Sequence, residues 1–452
     1  MAEKVFMQVP KLLLPKPEFR KHWPVVACDQ FTSEPQYWEA VKKEVGSDPS
    51  MLHLILPELY LESPEEEGMI QDIIKSMQEY MDKGIFEELQ TCVYLERRTR
   101  KTPCRRGVIM ALDLEAYDFH SDSHPSPIRP TEMTVVERIP PRLRVRSKAL
   151  IESPHILVLV DDPERKIIEP LTEEKEKMEK LYDQELMLGA GHICGYRIPP
   201  ESVDRIVQQL NKLFDPKVFE EKYKVAPGTP TLLYAVGDGN HSLATAKQSW
   251  ENIKSACPPE KLDELMKTHP ARFCMIELSN IYDEGIEFEP IHRVLFGVKE
   301  RLIDALQKKF GAEAVLTTQC ESLAKLKEAV EHPPSTIPKD KHSFGLIEGE
   351  KFYLVSIPAG NQTLPVGAIQ TFLDSPEYKP QYSKIDYIHG DDVVISLIRQ
   401  DIEHNIGIIL PVMSKDSLFP TVIKNARLPR KTFSMGEADE KRFYFECRKI
   451  VP

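Results

Sequence analysis

Residues 231–250 read TLLYAVGDGNHSLATAKQSW, and this stretch decides how the rest of the fold is interpreted. The apolar run before the first glycine is typical of a β-strand. After the GDGNHS segment, Leu243, Ala246 and Trp250 recur at helical spacing. The stretch therefore predicts a strand, a tight turn and a helix.

The two glycines of this turn frame an acidic residue. Gly237 and Gly239 permit a positive φ, and Asp238 or Asn240 could cap the helix. Such a junction directs backbone N–H groups and the positive helix end at one point, which favours an anion such as phosphate. The segment is neither a Walker loop, since G-K-[ST] is missing, nor a full Rossmann fingerprint, since Ser242 replaces the third glycine. A capped turn with a solvated histidine is the alternative.

The composition is that of a globular protein with a large core. The chain has 452 residues, 41% hydrophobic and 29% charged, which allows two or three domains. The net charge of −12 argues against nucleic acid as the main partner, because counterion release requires a basic surface. No apolar run approaches the roughly 20 residues that span a bilayer, and the N-terminal residues do not resemble a signal peptide. We therefore expect a cytoplasmic protein that does not bind membranes; its oligomeric state is left open.

Helical and strand-like stretches alternate irregularly along the chain. The predicted helices are 65–83, 201–214, 299–310 and 321–331, and the predicted strands are 91–96, 107–112, 155–160, 230–236, 273–278, 344–347 and 352–357. This predicts an α/β protein of the mixed α+β kind, with mixed sheets and packed helices. Regular βαβ units are missing, so a doubly wound Rossmann sheet is not favoured.

The expected domain organisation follows the proline-rich break at 331–342. A main α/β domain over residues 1–330 would carry the GDGNHS and EPIHR segments. A C-terminal α/β portion over residues 331–452 would contribute DYIHG. One continuous unit is the alternative.

Three segments share an acid-x-x-His spacing at a probable strand end or turn. They are Asp238 with His241, Glu289 with His292, and Asp386 with His389. Chance could produce three such pairs in a chain with 71 acids. Three histidines could bind zinc, and Asp238 or Glu289 could hold Mg²⁺ together with a substrate phosphate.

The stretch RPTEMTVVERIPPRLRVR at 129–146 is rich in chemistry-bearing side chains. Arg129 and Arg138 could be bidentate phosphate donors, and Glu132 could be a general base if partly buried. An amphipathic strand with its charges facing water is the alternative.

Cys28 follows the apolar run of HWPVVACDQF near the N-terminus. It could be a nucleophile, but no neighbouring feature predicts a depressed thiol pKa. A buried structural thiol is favoured.

Six segments together resemble the domain of unknown function 1015 family. They are HWPVVACDQFTSEPQYW, RPTEMTVVERIPPR, VGDGNHSLATAK, IYDEGIEFEPIHRVL, KIDYIHG and LPRKTFSMGEADEKRFY. The resemblance runs in order from about residue 20 to the C-terminus.

That family is similar, through a D-G-H-H-R motif, to the ParB/sulfiredoxin-like superfamily, which includes free-serine kinases and nucleotide-binding ParB domains. The resemblance implies a ParB/sulfiredoxin-like nucleotide-binding core. It also implies that Asp238, Gly239 and His241 belong to a phosphate or nucleotide site, with a separate carboxylate as base. In this chain Asn240 replaces the motif's first histidine and Ser242 replaces its arginine.

A serine cannot replace a bidentate arginine. The missing charge would then come from Arg293, Arg129 or Lys247, or the ligand would differ from that of the kinases.

We therefore expect a phosphate- or nucleotide-binding enzyme that phosphorylates a small hydroxyl compound, such as a free amino acid, using a nucleoside triphosphate and Mg²⁺. The alternatives are a non-catalytic nucleotide-binding switch and a metal-assisted hydrolase. The candidate catalytic residues are Asp238, His241, Glu132, Glu289 and His292. The candidate nucleotide- or phosphate-binding residues are Gly237, Gly239, Asn240, Ser242, Arg129, Arg293, Asp386 and His389.

Overall fold

A computed structural model describes residues 5–120, 126–436 and 440–452. Residues 437–439, which belong to the last of the six family-like segments, lie outside this description. Within it the chain divides into two compact units, one formed by Met1–Glu287 with Gly436–Pro452 and the other by Phe288–Met435.

The first unit is built on a nine-stranded sheet. Eight of its strands are hydrogen-bonded to their neighbours in the order Lys180–Glu185, His192–Arg197, Val93–Arg98, Arg105–Asp113, Phe273–Asn280, Leu157–Val160, Tyr234–Asp238 and Ile128–Pro130. The ninth strand, Met7–Gln8, also pairs with Arg105–Asp113. Phe273–Asn280 runs parallel to Leu157–Val160, and Tyr234–Asp238 runs parallel to Ile128–Pro130, whereas the remaining pairs are antiparallel. The sheet is thus mixed, which confirms the mixed α+β class.

Both faces of this sheet are covered, because successive side chains of a strand point to opposite faces. Val108 and Met110 belong to one apolar core together with the helix residue Trp250. Ile109, which lies between them, belongs to a second core. Burial on both sides explains why these strands appear in the sequence as continuous apolar runs.

The remaining strands of the first unit form three two-stranded ribbons. They pair Lys11–Pro15 with Phe86–Gln90, Val25–Val26 with Phe443–Tyr444, and Ile151–Glu152 with Arg448–Lys449. The last two ribbons join the C-terminal segment to strands from the first third of the chain. The α-helices of this unit are Pro35–Val45, Glu66–Asp82, Ile139–Arg146, Pro170–Glu174, Pro200–Phe214, Pro216–Tyr223, Asn240–Ala256 and Leu262–Thr268.

The second unit contains a six-stranded sheet and a short ribbon. The sheet order is Leu316–Cys320, Lys351–Pro358, Lys341–Glu348, Ile406–Ile409, His292–Phe296 and Lys384–Ile388, and the ribbon pairs Phe288–Pro290 with Phe433–Met435. The α-helices are Leu302–Phe310, Leu323–Glu331, Pro365–Leu373, Asp391–Ile398 and Leu418–Asn425. In the described part of the chain no helix has the length and apolar character needed to cross a bilayer.

The observed division differs from the expected one at residue 330. The chain enters the second unit at Phe288 because His292–Phe296 pairs with Lys384–Ile388 and Ile406–Ile409. The EPIHR segment therefore belongs to the second unit, and the final residues return to the first.

Candidate functional site

The GDGNHS segment forms the junction between the strand Tyr234–Asp238 and the helix Asn240–Ala256, called the 240s helix below. Gly239 is the N-cap and has a φ of 77°, in the left-handed region. A Cβ at this position would lie 3.0 Å from the Cα of Ile156. Conformation and close packing thus both require glycine, and the N-cap carries no side chain to occupy the helix start.

Asp238 stabilises the turn rather than capping the helix. Its Oδ1 accepts a hydrogen bond from the Gly239 amide at 2.9 Å, and its Oδ2 accepts one from Lys441 Nζ at 2.9 Å. Burial alone would raise the pKa of Asp238, but the adjacent Lys441 ammonium outweighs it and holds the pKa below the ordinary value. The ionised carboxylate of Asp238 therefore lies next to Lys441 at the helix start.

The next two residues of the motif occupy the first turn of the helix. The Oδ1 of Asn240 is buried and has no hydrogen-bond partner among the described residues. The Nε2 of His241 accepts a hydrogen bond from the Val135 amide at 3.2 Å. The His241 ring is thus oriented by the loop that follows the strand Ile128–Pro130.

Ser242 begins a chain of polar contacts that leads away from the helix. Its Oγ lies 2.6 Å from His155 Nε2, and His155 Nδ1 lies 3.0 Å from the Tyr444 hydroxyl. The Tyr444 hydroxyl donates to Cys28 Sγ at 3.2 Å.

These residues line a cavity of ≈ 160 Å³ in the first unit. Its polar lining residues are Cys28, Glu58, Arg142, Arg146, Glu152, Ser153, His155, Ser242, Thr245 and Tyr444. A cavity that combines two carboxylates, two guanidinium groups and one imidazole with a largely apolar wall has the usual character of a small-molecule site.

Glu58 and Cys28 have pKa values shifted toward their neutral forms. Burial raises the pKa of Glu58, partly offset by its ion pair with Arg142. Burial, reinforced by the negative charges of Asp29 and Glu58, raises the pKa of the Cys28 thiol to about 12. The thiol is therefore protonated at neutral pH, which favours the structural interpretation of Cys28 over a nucleophilic one.

Three other predicted residues of the first unit have defined surroundings. Arg129 is buried and donates to the Ser126 and Pro230 carbonyls at 2.8 and 2.7 Å, and burial lowers its pKa to about 10. Lys247 donates to the Leu114 carbonyl. Glu132 is half-buried and lies two residues after the end of the strand Ile128–Pro130.

The second unit contains the remaining predicted residues. Burial lowers the pKa of His292 to about 4, and its Nδ1 accepts a hydrogen bond from the Leu410 amide at 3.2 Å. Arg293 is fully buried and donates to the carbonyls of Ile291, Arg430 and Lys431. These contacts tie the strand His292–Phe296 to the segment that precedes the end of the unit.

The other acidic and histidine residues of this unit lie on strands or directly after them. Glu289 is half-buried within Phe288–Pro290, Asp386 forms a 3.0 Å ion pair with Lys384, and His389 is exposed just beyond Lys384–Ile388. Within the described ranges, no three His, Cys, Asp or Glu side chains are arranged to hold a metal ion. The three acid-x-x-His pairs are divided between the units, with only Asp238 and His241 in the first.

The cavity brings together residues that the sequence interpretation did not connect. Arg142 and Tyr444 lie within family-like segments but were not singled out, and the same is true of Lys441 beside Asp238. Glu58 and His155 carry no motif signal. They reach the cavity from a short 3₁₀ helix and from the turn before Leu157–Val160.

The chain belongs to the family described as "Protein of unknown function (DUF1015)", whose model matches residues 11–376. No curated protein matches it.

The chain is similar to a free serine kinase variant in complex with ADP, with 10% identity and a TM-score of 0.36, over 76% of this chain and 92% of the kinase. It is also similar to a conserved hypothetical protein from Pyrococcus furiosus, with 12% identity and a TM-score of 0.32, over 73% of this chain and 90% of the other. The third similar structure is C-terminally truncated SbnI from Staphylococcus aureus, with 10% identity and a TM-score of 0.32, over 73% and 83% of the two chains.

Proposed function

We propose that the chain binds a nucleoside triphosphate with its phosphates at the start of the 240s helix and transfers the terminal phosphoryl group to the hydroxyl of a small compound. The observation that carries the proposal is the position of Ser242, which lies in the first turn of that helix and also lines the cavity. A phosphate at the helix start would thus face a compound held in the cavity.

The helix start supplies the phosphate site. The helix dipole favours negative charge at this end. The Ser242 and Leu243 amides donate to the Gly239 carbonyl at 3.0 Å, which fixes the geometry of the first turn. Gly239 keeps this end free of a capping side chain, so that a phosphate oxygen can approach closely. Lys441 adds a positive charge next to Asp238, at a place where the family-like motif has lost its arginine.

Glu58 is the candidate base in the cavity. The other carboxylate of the lining, Glu152, is buried, but Arg448 and Arg146 hold its pKa below the ordinary value. The pKa of Glu58 is raised above the ordinary value, which brings it closer to the pH at which a general base works best. The acceptor oxygen would attack the terminal phosphorus as its proton passes to Glu58, and the bond to the leaving nucleoside diphosphate would break. Arg142, paired with Glu58, would offset the charge on the transferred group. Glu132 is the second candidate base in this unit.

Mg²⁺ fits this site as a partner of the nucleotide. It requires only one or two carboxylates besides phosphate oxygens and water. Asp238, ionised at the helix start, would be its protein ligand, and the ion would neutralise phosphate charge. The residues of the second unit, among them His292, Arg293 and His389, have no assigned role in this proposal.

The test is turnover by the whole chain. Purified protein is incubated with ATP, CTP or GTP, with and without Mg²⁺, and with a panel of small hydroxyl compounds, and mass spectrometry follows nucleoside diphosphate and phosphorylated acceptor. We expect both products to appear in equal amounts. Glu58→Gln should reduce turnover by about 10²-fold or more, whereas Glu67→Gln, which changes an exposed carboxyl paired with Lys148, should not.

A non-catalytic nucleotide switch is the second candidate. The Ser242 hydroxyl, which stands where the family-like motif has an arginine, is held by His155 instead of providing a phosphate-binding charge. Stabilisation by a nucleotide in a thermal-shift experiment, without any consumption of that nucleotide, would support the switch and contradict the kinase.

A further inference from the structure

The cavity that adjoins Ser242 is apolar along most of its wall. Beyond the polar part already described, its lining includes Met51, Leu54, Ile55, Met77, Val145 and Ile151. Met51, Leu54, Ile55, Met77 and Ile151 are buried and belong to the same apolar core. The interior of the first unit therefore continues directly into the wall of the cavity.

The distribution of polar groups in the cavity is uneven. Glu58 forms an ion pair with Arg142, and Glu152 forms one with Arg146. Ser153 and Thr245 donate to the Glu446 and His241 carbonyls, and His155 contacts Ser242 and Tyr444. The apolar side chains offer no hydrogen bond to an occupant. A fully polar compound with several hydroxyl, amino and carboxylate groups would lose its hydration there without recovering the same number of hydrogen bonds.

We propose that the acceptor of the phosphoryl group is a compact alcohol with a predominantly apolar body and its hydroxyl at one end. This inference rests on the proposed phosphotransferase function. The hydroxyl would lie at the polar part, near Glu58 and Ser242, and the apolar body would lie against Met51, Met77 and Ile151.

The cavity volume limits the size of this body. An apolar cavity of about 150 Å³ accommodates benzene, and the cavity of this chain measures ≈ 160 Å³. An occupant with about six to eight non-hydrogen atoms, such as an aromatic or cyclic primary alcohol, matches that volume. Apolar burial would supply the affinity, and the single hydroxyl would supply the orientation.

Ligand-observed NMR on the full chain without nucleotide tests the inference. The probes are benzyl alcohol and, as polar compounds of similar size or smaller, free serine and glycerol. We expect benzyl alcohol to bind at least about tenfold more tightly than either polar probe, since even one methylene in an apolar pocket can be worth that factor. Equal binding of the three probes, or no binding of benzyl alcohol, would overturn the inference.

Two filling variants locate the binding site. Ala149→Phe and Val145→Phe each add a ring to a residue that lines the cavity, and each should weaken benzyl alcohol binding by at least about tenfold. Val218→Phe, at an exposed position of the helix Pro216–Tyr223, is the matched control and should change nothing. If one filling variant does not fold, benzyl alcohol binding by the other variant still shows whether the probe occupies the cavity. Unchanged binding in a folded filling variant would place the probe elsewhere and contradict the inference.

The outcome is separable from that of the proposed function. Probe binding is measured without nucleotide, so it does not depend on whether the chain consumes ATP. Binding of benzyl alcohol together with phosphorylation of serine but not of benzyl alcohol would refute the inference while supporting the kinase.

Discussion

The Oγ of Ser242 lies 2.6 Å from the Nε2 of His155, although the two residues are 87 positions apart in the chain. His155 is in turn held by the buried hydroxyl of Tyr444, close to the C-terminus. The first turn of the 240s helix, the turn before Leu157–Val160 and the C-terminal segment thus meet at one side of the cavity.

This contact predicts that His155 positions the helix start for turnover. His155→Gln should lower kcat/KM for phosphoryl transfer by about 10²-fold, because the imidazole that orients the Ser242 hydroxyl is lost and a small misplacement at the reacting centre can cost that factor. The loss should fall on kcat with KM nearly unchanged, which a purely structural role would not cause. His120→Gln, at an exposed ring, is the control, and equal kinetics in both variants would exclude the role.

The conformation of Gly239 predicts a cost for any side chain there. Gly239→Ala should lower the free energy of unfolding by about 1–2 kcal/mol, because a left-handed alanine is strained and its Cβ would lie 3.0 Å from the Ile156 backbone. Gly68→Ala, in the helix Glu66–Asp82 with open space around its Cβ, should instead stabilise by up to about 1 kcal/mol. Urea unfolding of both variants would measure this, and a stabilised Gly239→Ala would contradict the geometry.

The ion pair of Asp238 with Lys441 predicts an acid-sensitive contribution to stability. The pKa of Asp238 is lower in the folded than in the unfolded state, so the folded state favours the ionised form. The contribution is therefore present above the unfolded pKa of about 4 and is lost as the pH falls through the folded pKa. Asp238→Asn should cost about 1–2 kcal/mol at pH 7 and progressively less below pH 4. Asp72→Asn, at an exposed position, serves as control, and a penalty that is independent of pH would contradict the assignment.

The buried ring of His292 predicts a different pH dependence in the second unit. Its pKa is lowered to about 4 by burial, whereas an unfolded histidine has a pKa of about 6.5. Between these values the unfolded chain binds a proton that the folded chain does not, so stability falls as the pH drops from about 6.5 to 4. The loss attributable to this group is at most about 3 kcal/mol. NMR titration of the ring should find it neutral at pH 6, and His292→Gln should remove the slope; a ring that titrates near 6.5 would refute the prediction.

Local sequence was sufficient for the elements that carry a strong periodicity. The predicted helix at 65–83 is confirmed as Glu66–Asp82, and the predicted strand at 273–278 is confirmed within Phe273–Asn280. These segments are long, and their apolar residues recur at a clear period, so the local pattern agrees with the tertiary environment. The strand, turn and helix around Gly239 are confirmed for the same reason.

The candidate site was accessible from sequence only in part. The glycines of the GDGNHS segment predict a helix start. The family-like segments contain Arg142, Lys441 and Tyr444. Nothing in the neighbourhood of Glu58 or His155 distinguishes them from ordinary surface residues. Both residues become candidate site residues because they line the cavity and contact residues that are distant in the chain. The periodicity of a short segment predicts neither the cavity nor these contacts.

The boundary between the two units was also not predictable from local sequence. The proline-rich break at 331–342 suggested a boundary, yet those residues connect a helix and a strand within the second unit. The strand His292–Phe296 pairs with partners about 90 and 115 residues downstream, and such long-range pairing leaves little trace in local composition.

The amino-acid sequence by itself determined the mixed α+β class, the family and the glycine turn that opens the 240s helix, because these depend on residue types and spacings within short segments. Only the tertiary structure decided that Glu58, Arg142, His155 and Tyr444 share a cavity with Ser242. The physical reason is that burial, ion pairing and cavity shape arise from segments that meet after the chain has folded, with the C-terminal strand Phe443–Tyr444 pairing to Val25–Val26 at the opposite end of the sequence.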